Sequence, residues 1–75
     1  MTSPEMARRC RKERNRRGLS QREVAKRLDV TIQAVSKAEN YTARDGMDRF
    51  RVKVLEELTG RDVRGPLWEV EEESG

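Results

Sequence analysis

Apolar residues recur at helical spacings along most of the chain, and this pattern predicts an all-α protein. The clearest stretch has Val24, Ala25 and Leu28 on one face of a helix, at spacings of three and four residues. Ser20 and Glu23 precede this face as a Ser-x-x-Glu capping box, which pairs backbone N–H groups that a helix start leaves open. The pattern therefore predicts a helix from about residue 20 to residue 28.

A second short helix is predicted after a break in the pattern. Thr31 is a suitable N-cap, and the helix runs to about Glu39 with Val35 and Ala38 on its apolar side. The other side carries a polar stripe at spacings of three, four and seven residues, formed by Gln33, Ser36, Lys37 and Asn40. Two short helices joined by a tight turn fit the major groove of DNA. A polar stripe is also what any surface helix shows, so the stripe alone does not decide the function.

A longer helix is predicted on each side of this pair. The first has Ser3 as N-cap and Pro4 at its first position, and it ends at Gly18. The last runs from about Asp48 to Thr59, after a loop at 40–47. The predicted inward-facing residues of the two helices are Met6, Ala7 and Cys10 in the first, and Phe50, Val54, Leu55 and Leu58 in the last.

The C-terminal end is less regular. Residues 62–68 can hold one further helical turn, and a short strand is the alternative. Residues 69–75 are mostly acidic and are expected to form a flexible tail. We therefore divide the chain into a domain at 1–68 and a tail at 69–75.

Composition excludes several kinds of site. The 75 residues suffice for one small domain, and they contain no His and a single Cys. A zinc site, a His-based catalytic triad and an internal disulfide are therefore excluded. Cys10 is interpreted as a small core residue. The chain has no apolar run long enough for a signal peptide or a membrane span, so we expect a cytoplasmic protein.

Charge is distributed unevenly along the chain. Residues 1–60 carry a net charge of +6 and residues 61–75 a net charge of −3, within a total of +3. The densest basic run lies at 8–17, where seven Lys or Arg residues surround the predicted first helix. Such a run can be a solubilising surface. Beside a helix-turn-helix we favour a positive field for phosphates, which steers association and makes affinity depend on salt.

Residues 21–40 resemble the helix-turn-helix of the Cro/C1-type (Xre) family of phage and bacterial repressors. The positions that carry the resemblance are Gln21, Glu23, Val24, Ala25, Leu28, Val30, Val35, Glu39 and Asn40, after an Arg-Gly-Leu-Ser-Gln string at 17–21. The resemblance extends over about residues 6–59. It implies a compact lambda-repressor-like domain of four to five helices, with the helix-turn-helix at helices two and three. It also implies a structural ion pair between Arg14 and Glu39. Asp29 stands where the family often has Gly in a left-handed backbone conformation.

Candidate DNA contacts follow from the chemistry of the side chains on this motif. Gln33 suits adenine, which Gln can contact with two hydrogen bonds, and Ile32 suits a thymine methyl group. Ser36 and Lys37 complete the candidate base contacts, although either can contact a phosphate instead, and Ile32 can alternatively belong partly to the core. Gln21 begins helix two, where its backbone N–H and the helix dipole suit a phosphate. The remaining candidate backbone contacts are Arg22, Thr31, Asn40 and Arg44.

The resemblance also implies a homodimer on a near-palindromic site, at least when DNA is bound. The candidate dimer surface consists of the apolar residues Leu67, Trp68 and Val70, which can alternatively fold back onto the core. We expect a small Cro-like repressor of double-stranded DNA, with no cofactor, metal, small-molecule ligand or enzymatic activity. The alternatives are an antitoxin-type autoregulator with a protein partner and a protein-docking module on the same fold.

Overall fold

Four helices make up the body of the protein in the computed structural model, which describes residues 1–61, 63–64 and 69–70. They are α1 (Ser3–Arg16), α2 (Gln21–Leu28), α3 (Ile32–Glu39) and α4 (Asp48–Thr59). Two short strands follow, β1 (Val63–Arg64) and β2 (Glu69–Val70). The all-α class and the helix pair α2–α3 are as predicted from the sequence.

The start of α1 differs from the prediction by one residue. Thr2 is the N-cap, and its hydroxyl accepts a hydrogen bond from the backbone N–H of Glu5 at 3.3 Å. The Glu5 carboxylate in turn accepts from the backbone N–H of Thr2 at 3.2 Å, which completes a capping box. Ser3 is the first helical residue instead, and its hydroxyl donates to Asp48 at 2.6 Å. That bond joins the starts of α1 and α4.

Left-handed residues end α1 and α2 in the same way. Gly18 follows α1 with φ of 65°, and Asp29 follows α2 with φ of 55°. After Asp29, the Val30 N–H returns to the Ala25 carbonyl at 3.0 Å and the Asp29 N–H to the Lys26 carbonyl at 3.3 Å. These two bonds pair helix-end carbonyls that otherwise lack a partner. The turn of the helix-turn-helix therefore keeps its left-handed residue although Gly is absent.

The core lies where α1, α3 and α4 meet beside α2. Its fully buried apolar side chains come from all four helices: Met6 and Cys10, Val24, Val35 and Ala38, and Val54 and Leu55. Leu28 and Phe50, predicted to face inward, are only partly buried at the margin of this cluster. With so few large side chains, the core is small, and the placement of each polar group beside it matters for stability.

The C-terminal segment contains a short hairpin. β1 pairs antiparallel with β2, with Val63 opposite Val70 and Arg64 opposite Glu69. A strand at Val63–Arg64 replaces the helical turn that we considered for this position, and four helices are present within the described ranges. Leu67 and Trp68 of the predicted dimer surface lie outside the described residues, as do residues 71–75. In the part of the chain that the structure describes, no helix has the length and apolarity needed to cross a bilayer.

Candidate nucleic-acid interface

The exposed face of α3 carries the residues that the sequence analysis assigned to base contacts. Gln33 and Lys37 are exposed, Ser36 is half-buried and Ile32 exposes 39% of its surface. Val35, on the opposite face, is completely buried. One side of α3 thus packs into the core, and the other side exposes a polar stripe together with the aliphatic side chain of Ile32. This arrangement can read base edges by hydrogen bonds and thymine methyl groups by apolar contact.

The N-terminal end of α3 borders a shallow depression of about 530 Å³. Thr31 and Ile32 lie on its α3 side, and Arg22 and Lys26 on its α2 side. The Thr31 hydroxyl accepts the Ala34 N–H at 3.1 Å, so this side chain caps α3 and retains its own O–H for an outside acceptor. Two cations and a free hydroxyl beside an exposed aliphatic side chain suit a phosphate next to a base methyl group.

A bidentate ion pair joins α1 to the end of α3. Arg14 Nε donates to Glu39 Oε2 at 2.6 Å, and Arg14 Nη2 donates to Glu39 Oε1 at 3.0 Å. A third guanidinium bond, from Nη1 to the Leu19 carbonyl at 2.8 Å, fixes the connection between α1 and α2. The structure therefore contains the contact that the resemblance implies for Arg14 and Glu39. Because these bonds join α1 to α3 and to the α1–α2 connection at Leu19, they set the orientation of these elements relative to one another.

Gln21 contacts this ion pair and also remains partly exposed at the surface. Its amide Nε2 donates to Glu39 Oε1 at 3.3 Å, so the Glu39 carboxylate orients the Gln21 side chain. Gln21 is the first residue of α2, where a backbone N–H has no partner inside the helix. The amide oxygen can accept, while the backbone N–H can donate to a phosphate at the positive end of the α2 dipole.

A second buried ionic group, not expected from the sequence, lies at the same C-terminal end of α3. Arg51 of α4 is completely buried. Its guanidinium donates to the Ala38 carbonyl at 2.8 Å and the Lys37 carbonyl at 3.3 Å, both in the last turn of α3. It also bonds both carboxylate oxygens of Asp45, at 3.1 and 2.6 Å, and Asp48 at 3.0 Å. The five bonds match the five N–H donors of an arginine.

The Asp45 carboxylate also holds the loop between α3 and α4. Asp45 accepts the backbone N–H of Thr42 at 3.1 Å and that of Met47 at 3.0 Å. The hydrogen bonds from Arg51 and from these two amides hold the pKa of Asp45 well below its ordinary value. Arg44, directly before Asp45, is exposed and has a φ of 58°, which a side chain with a Cβ adopts only at a cost.

Asn40 and Arg44 both lie beyond the end of α3, where the sequence analysis placed backbone contacts. Asn40 is exposed, and its Nδ2 donates to the Ser36 carbonyl at 2.7 Å, closing the last turn. Its amide keeps one N–H and one oxygen for another partner. Asn40 begins the loop between α3 and α4 and Arg44 lies four residues later in it, so both candidate backbone contacts come from the same connection.

Much of the basic run on α1 is internally paired. Glu13 is nearly fully buried and takes ion pairs from Arg9 at 3.1 Å, from Arg16 at 3.6 Å and from Arg17. Burial acts to raise the pKa of the Glu13 carboxyl, but the hydrogen bond from Arg17 and the surrounding guanidinium charges outweigh it and lower the pKa. The pairing leaves Arg8, Arg11 and Lys12 as exposed cations of this helix.

Glu13 and Arg51 were missed although their spacing could have revealed them. Arg51 precedes Val54, Leu55 and Leu58 by three, four and seven residues, which places it on the buried face of α4. Glu13 follows Cys10 by three residues on the buried face of α1. Both were passed over because charged residues are seldom buried unless they are paired. The partners of Arg51 could not be chosen from the sequence, since two of them are backbone carbonyls.

Comparison with known proteins gives one match. Residues 11–44, from the second half of α1 to the loop after α3, match the family model described as helix-turn-helix. No curated protein and no solved structure matches the chain. The matched segment includes the capping box at Ser20, the left-handed turn at Asp29 and the exposed face of α3. Residues 11–44 therefore form a helix-turn-helix of the kind that the resemblance to the Cro/C1-type family implies, and the match supports a DNA-binding regulator in general.

Proposed function

We propose that this protein is a sequence-specific transcriptional regulator, and that it represses as a small Cro-like dimer bound to a near-palindromic operator. The observation that carries the proposal is the two-sided construction of α3. Its inner face is sealed into the core by Val35 and Ala38, and its outer face presents Gln33 and Lys37 to solvent. A helix held this rigidly, with hydrogen-bonding side chains free, is what direct readout in the major groove requires.

The proposed contacts divide into two groups with different consequences. Gln33, Ser36, Lys37 and Ile32 face base edges and determine which sequence is bound. Gln21, Arg22, Thr31, Asn40 and Arg44 lie at the ends of the two helices and contact phosphates, which sets register and general affinity. We place the protein in the cytoplasm of a bacterial cell or a phage-infected host, where operator DNA is accessible.

A dimer supports the specificity that one domain lacks. One recognition helix covers only a few base pairs, and two copies related by a two-fold axis double the sequence that is read. We assign the dimer contact to the C-terminal apolar residues Leu67, Trp68 and Val70. Equilibrium sedimentation of the wild-type chain with and without duplex DNA tests whether the dimer forms, and a single protein copy on each duplex would contradict it.

Selection of bound duplexes from a random pool tests the DNA-binding proposal. We expect an enriched near-palindrome whose half-site centres lie about one helical turn apart, or a multiple of that distance. Gln33→Ala should relax the preference at one base pair of each half-site, at a cost of about 1–3 kcal/mol for that contact. Arg44→Ala is the matched control, because loss of a phosphate contact should weaken all sequences alike. An unchanged preference in Gln33→Ala would exclude Gln33 as a base-reading residue.

A further inference from the structure

We infer that Arg51 and Asp45 are positioning residues for DNA binding: they hold the end of the recognition helix and the Arg44 loop as a single unit. This inference rests on the proposed function and adds to it a pair that does not itself reach the DNA. The observation behind it is the way in which the Arg51 guanidinium divides its bonds between α3 and the loop.

On one side, Arg51 acts on α3. The carbonyls of Lys37 and Ala38 belong to the last turn, where a helix leaves C=O groups without intrahelical partners. A cation at this end also complements the negative pole of the helix dipole. Lys37 is a proposed DNA contact. The buried guanidinium therefore holds the backbone of a residue that would itself contact the DNA. Through Arg51, α4 therefore fixes the position of the last turn of α3.

On the other side, Arg51 acts on the loop through Asp45. The bidentate pair fixes the carboxylate, and the carboxylate then anchors the amides of Thr42 and Met47. The Asp45 N–H closes the turn to the Thr42 carbonyl at 3.1 Å. Arg44 lies inside this closed turn, which explains how it keeps a left-handed conformation that a free loop would leave.

The surroundings make the pair rigid. The Arg51 side chain is fully buried while that of Asp45 is 16% exposed, so the guanidinium is the fixed end and the carboxylate the link to the surface. The Tyr41 ring covers the guanidinium at 5.7 Å from its centroid. Asp48, the third carboxylate contact, is tied to α1 by Ser3. One buried cation thus connects α1, α3, α4 and the loop that carries Arg44.

Asp45→Asn gives a test in which two explanations predict opposite signs. The substitution removes a negative charge from a DNA-binding protein, so charge alone predicts tighter binding to duplex DNA. The positioning role predicts weaker binding, since an Asn amide offers the Arg51 fork one acceptor oxygen where the Asp45 carboxylate offers two. We expect affinity for the selected duplex to fall about tenfold, the equivalent of one charge-assisted hydrogen bond. Glu57→Gln removes the same charge from an exposed position of α4 and is the matched control.

A double-mutant cycle with Arg44 separates positioning from a general loss of structure. In the wild-type background, Arg44→Ala should lower affinity about tenfold and reduce the salt slope of binding by about one. In the Asp45→Asn background, the same substitution should cost less than about twofold, because the loop no longer presents Arg44. Arg51→Lys keeps the charge without the planar fork, and it should behave like Asp45→Asn. Amide NMR spectra of the free variants report whether α1–α4 remain folded.

The outcomes distinguish this inference from the proposed function. If the wild-type protein selects no duplex, the proposed function fails and the positioning role fails with it. If the wild-type protein binds its duplex and Asp45→Asn binds at least as tightly, only the positioning role is overturned. Equal effects of Arg44→Ala in both backgrounds would also overturn it, because Arg44 would then act independently of Asp45.

Discussion

Replacement of Arg14 by Met tests how far the ion pair with Glu39 supports the fold. The Glu39 side chain is 2% exposed and the Arg14 side chain 14% exposed, so the variant leaves a carboxylate almost without water. It removes two charge-assisted hydrogen bonds to Glu39 and one to the Leu19 carbonyl, and only Gln21 remains as a partner. Removal of one member of a buried pair costs about 3–5 kcal/mol. Since Arg14 reaches the surface, we expect about 3 kcal/mol.

That loss is large for this protein. A domain of fewer than about 80 residues rarely has more than about 3–5 kcal/mol of stability in total, so Arg14→Met should be partly unfolded at room temperature. Urea denaturation followed by far-ultraviolet circular dichroism measures the free energy of unfolding. Arg16→Met is the matched control on the same helix. The Arg16 side chain is 70% exposed, and the variant should lie within about 0.5 kcal/mol of wild type.

The double variant Arg14→Met/Glu39→Met identifies the source of the loss. It removes both charges, and apolar replacement of a buried pair is often neutral or stabilising. We therefore expect it to be clearly more stable than Arg14→Met alone. A loss of less than about 1 kcal/mol in Arg14→Met would show that the pair behaves as an exposed salt bridge, and the reasoning from burial would be refuted. A double variant as unstable as Arg14→Met would assign the loss to the packing of the arginine stem.

Two further predictions concern Cys10 and Asp29. Burial raises the pKa of the Cys10 thiol from 9.0 to about 12, so a thiol reagent should label it only as fast as the protein opens. Because the thiol of the unfolded chain ionises at a lower pH than the buried thiol, the free energy of unfolding should fall above pH 9 by up to about 1.4 kcal/mol per pH unit. In urea titrations, Cys10→Ala should remove this fall. The backbone at Asp29 has a φ of 55°, which Ala adopts only at a cost and Gly adopts freely. Asp29→Ala should therefore lower the free energy of unfolding by about 1 kcal/mol, whereas Asp29→Gly should not.

Local patterns sufficed for the helices and for the exposed stripe. The capping box of Ser20 and Glu23 and the helical spacing of Val24 and Ala25 are determined by residues within one or two turns of each other. Such features need no knowledge of distant parts of the chain. The left-handed turn at Asp29 was expected from the resemblance instead, because the family often has Gly at this position, and the structure has the turn there. The first helix start was wrong by one residue because Thr2 and Ser3 both offer a capping hydroxyl.

The Arg14–Glu39 pair was available only through a resemblance. Twenty-five residues separate the two, and no periodicity within one helix relates α1 to α3. The matching positions in the Cro/C1-type pattern supplied the pairing, and the structure contains it. The same pattern did not indicate that Gln21 would share the Glu39 carboxylate.

The sequence by itself therefore determined the four helices and the polar outer face of α3, and its resemblance to a known family added the left-handed turn. Only the tertiary structure decided what holds that face in place, because Arg51 takes its partners from two backbone carbonyls and from carboxylates outside the last turn of α3. Backbone carbonyls are the same in every residue, so no sequence pattern marks the two that a buried guanidinium will reach. Burial of a charge becomes favourable only when all of its donors find acceptors, and that condition exists only after α3, α4 and the loop have come together.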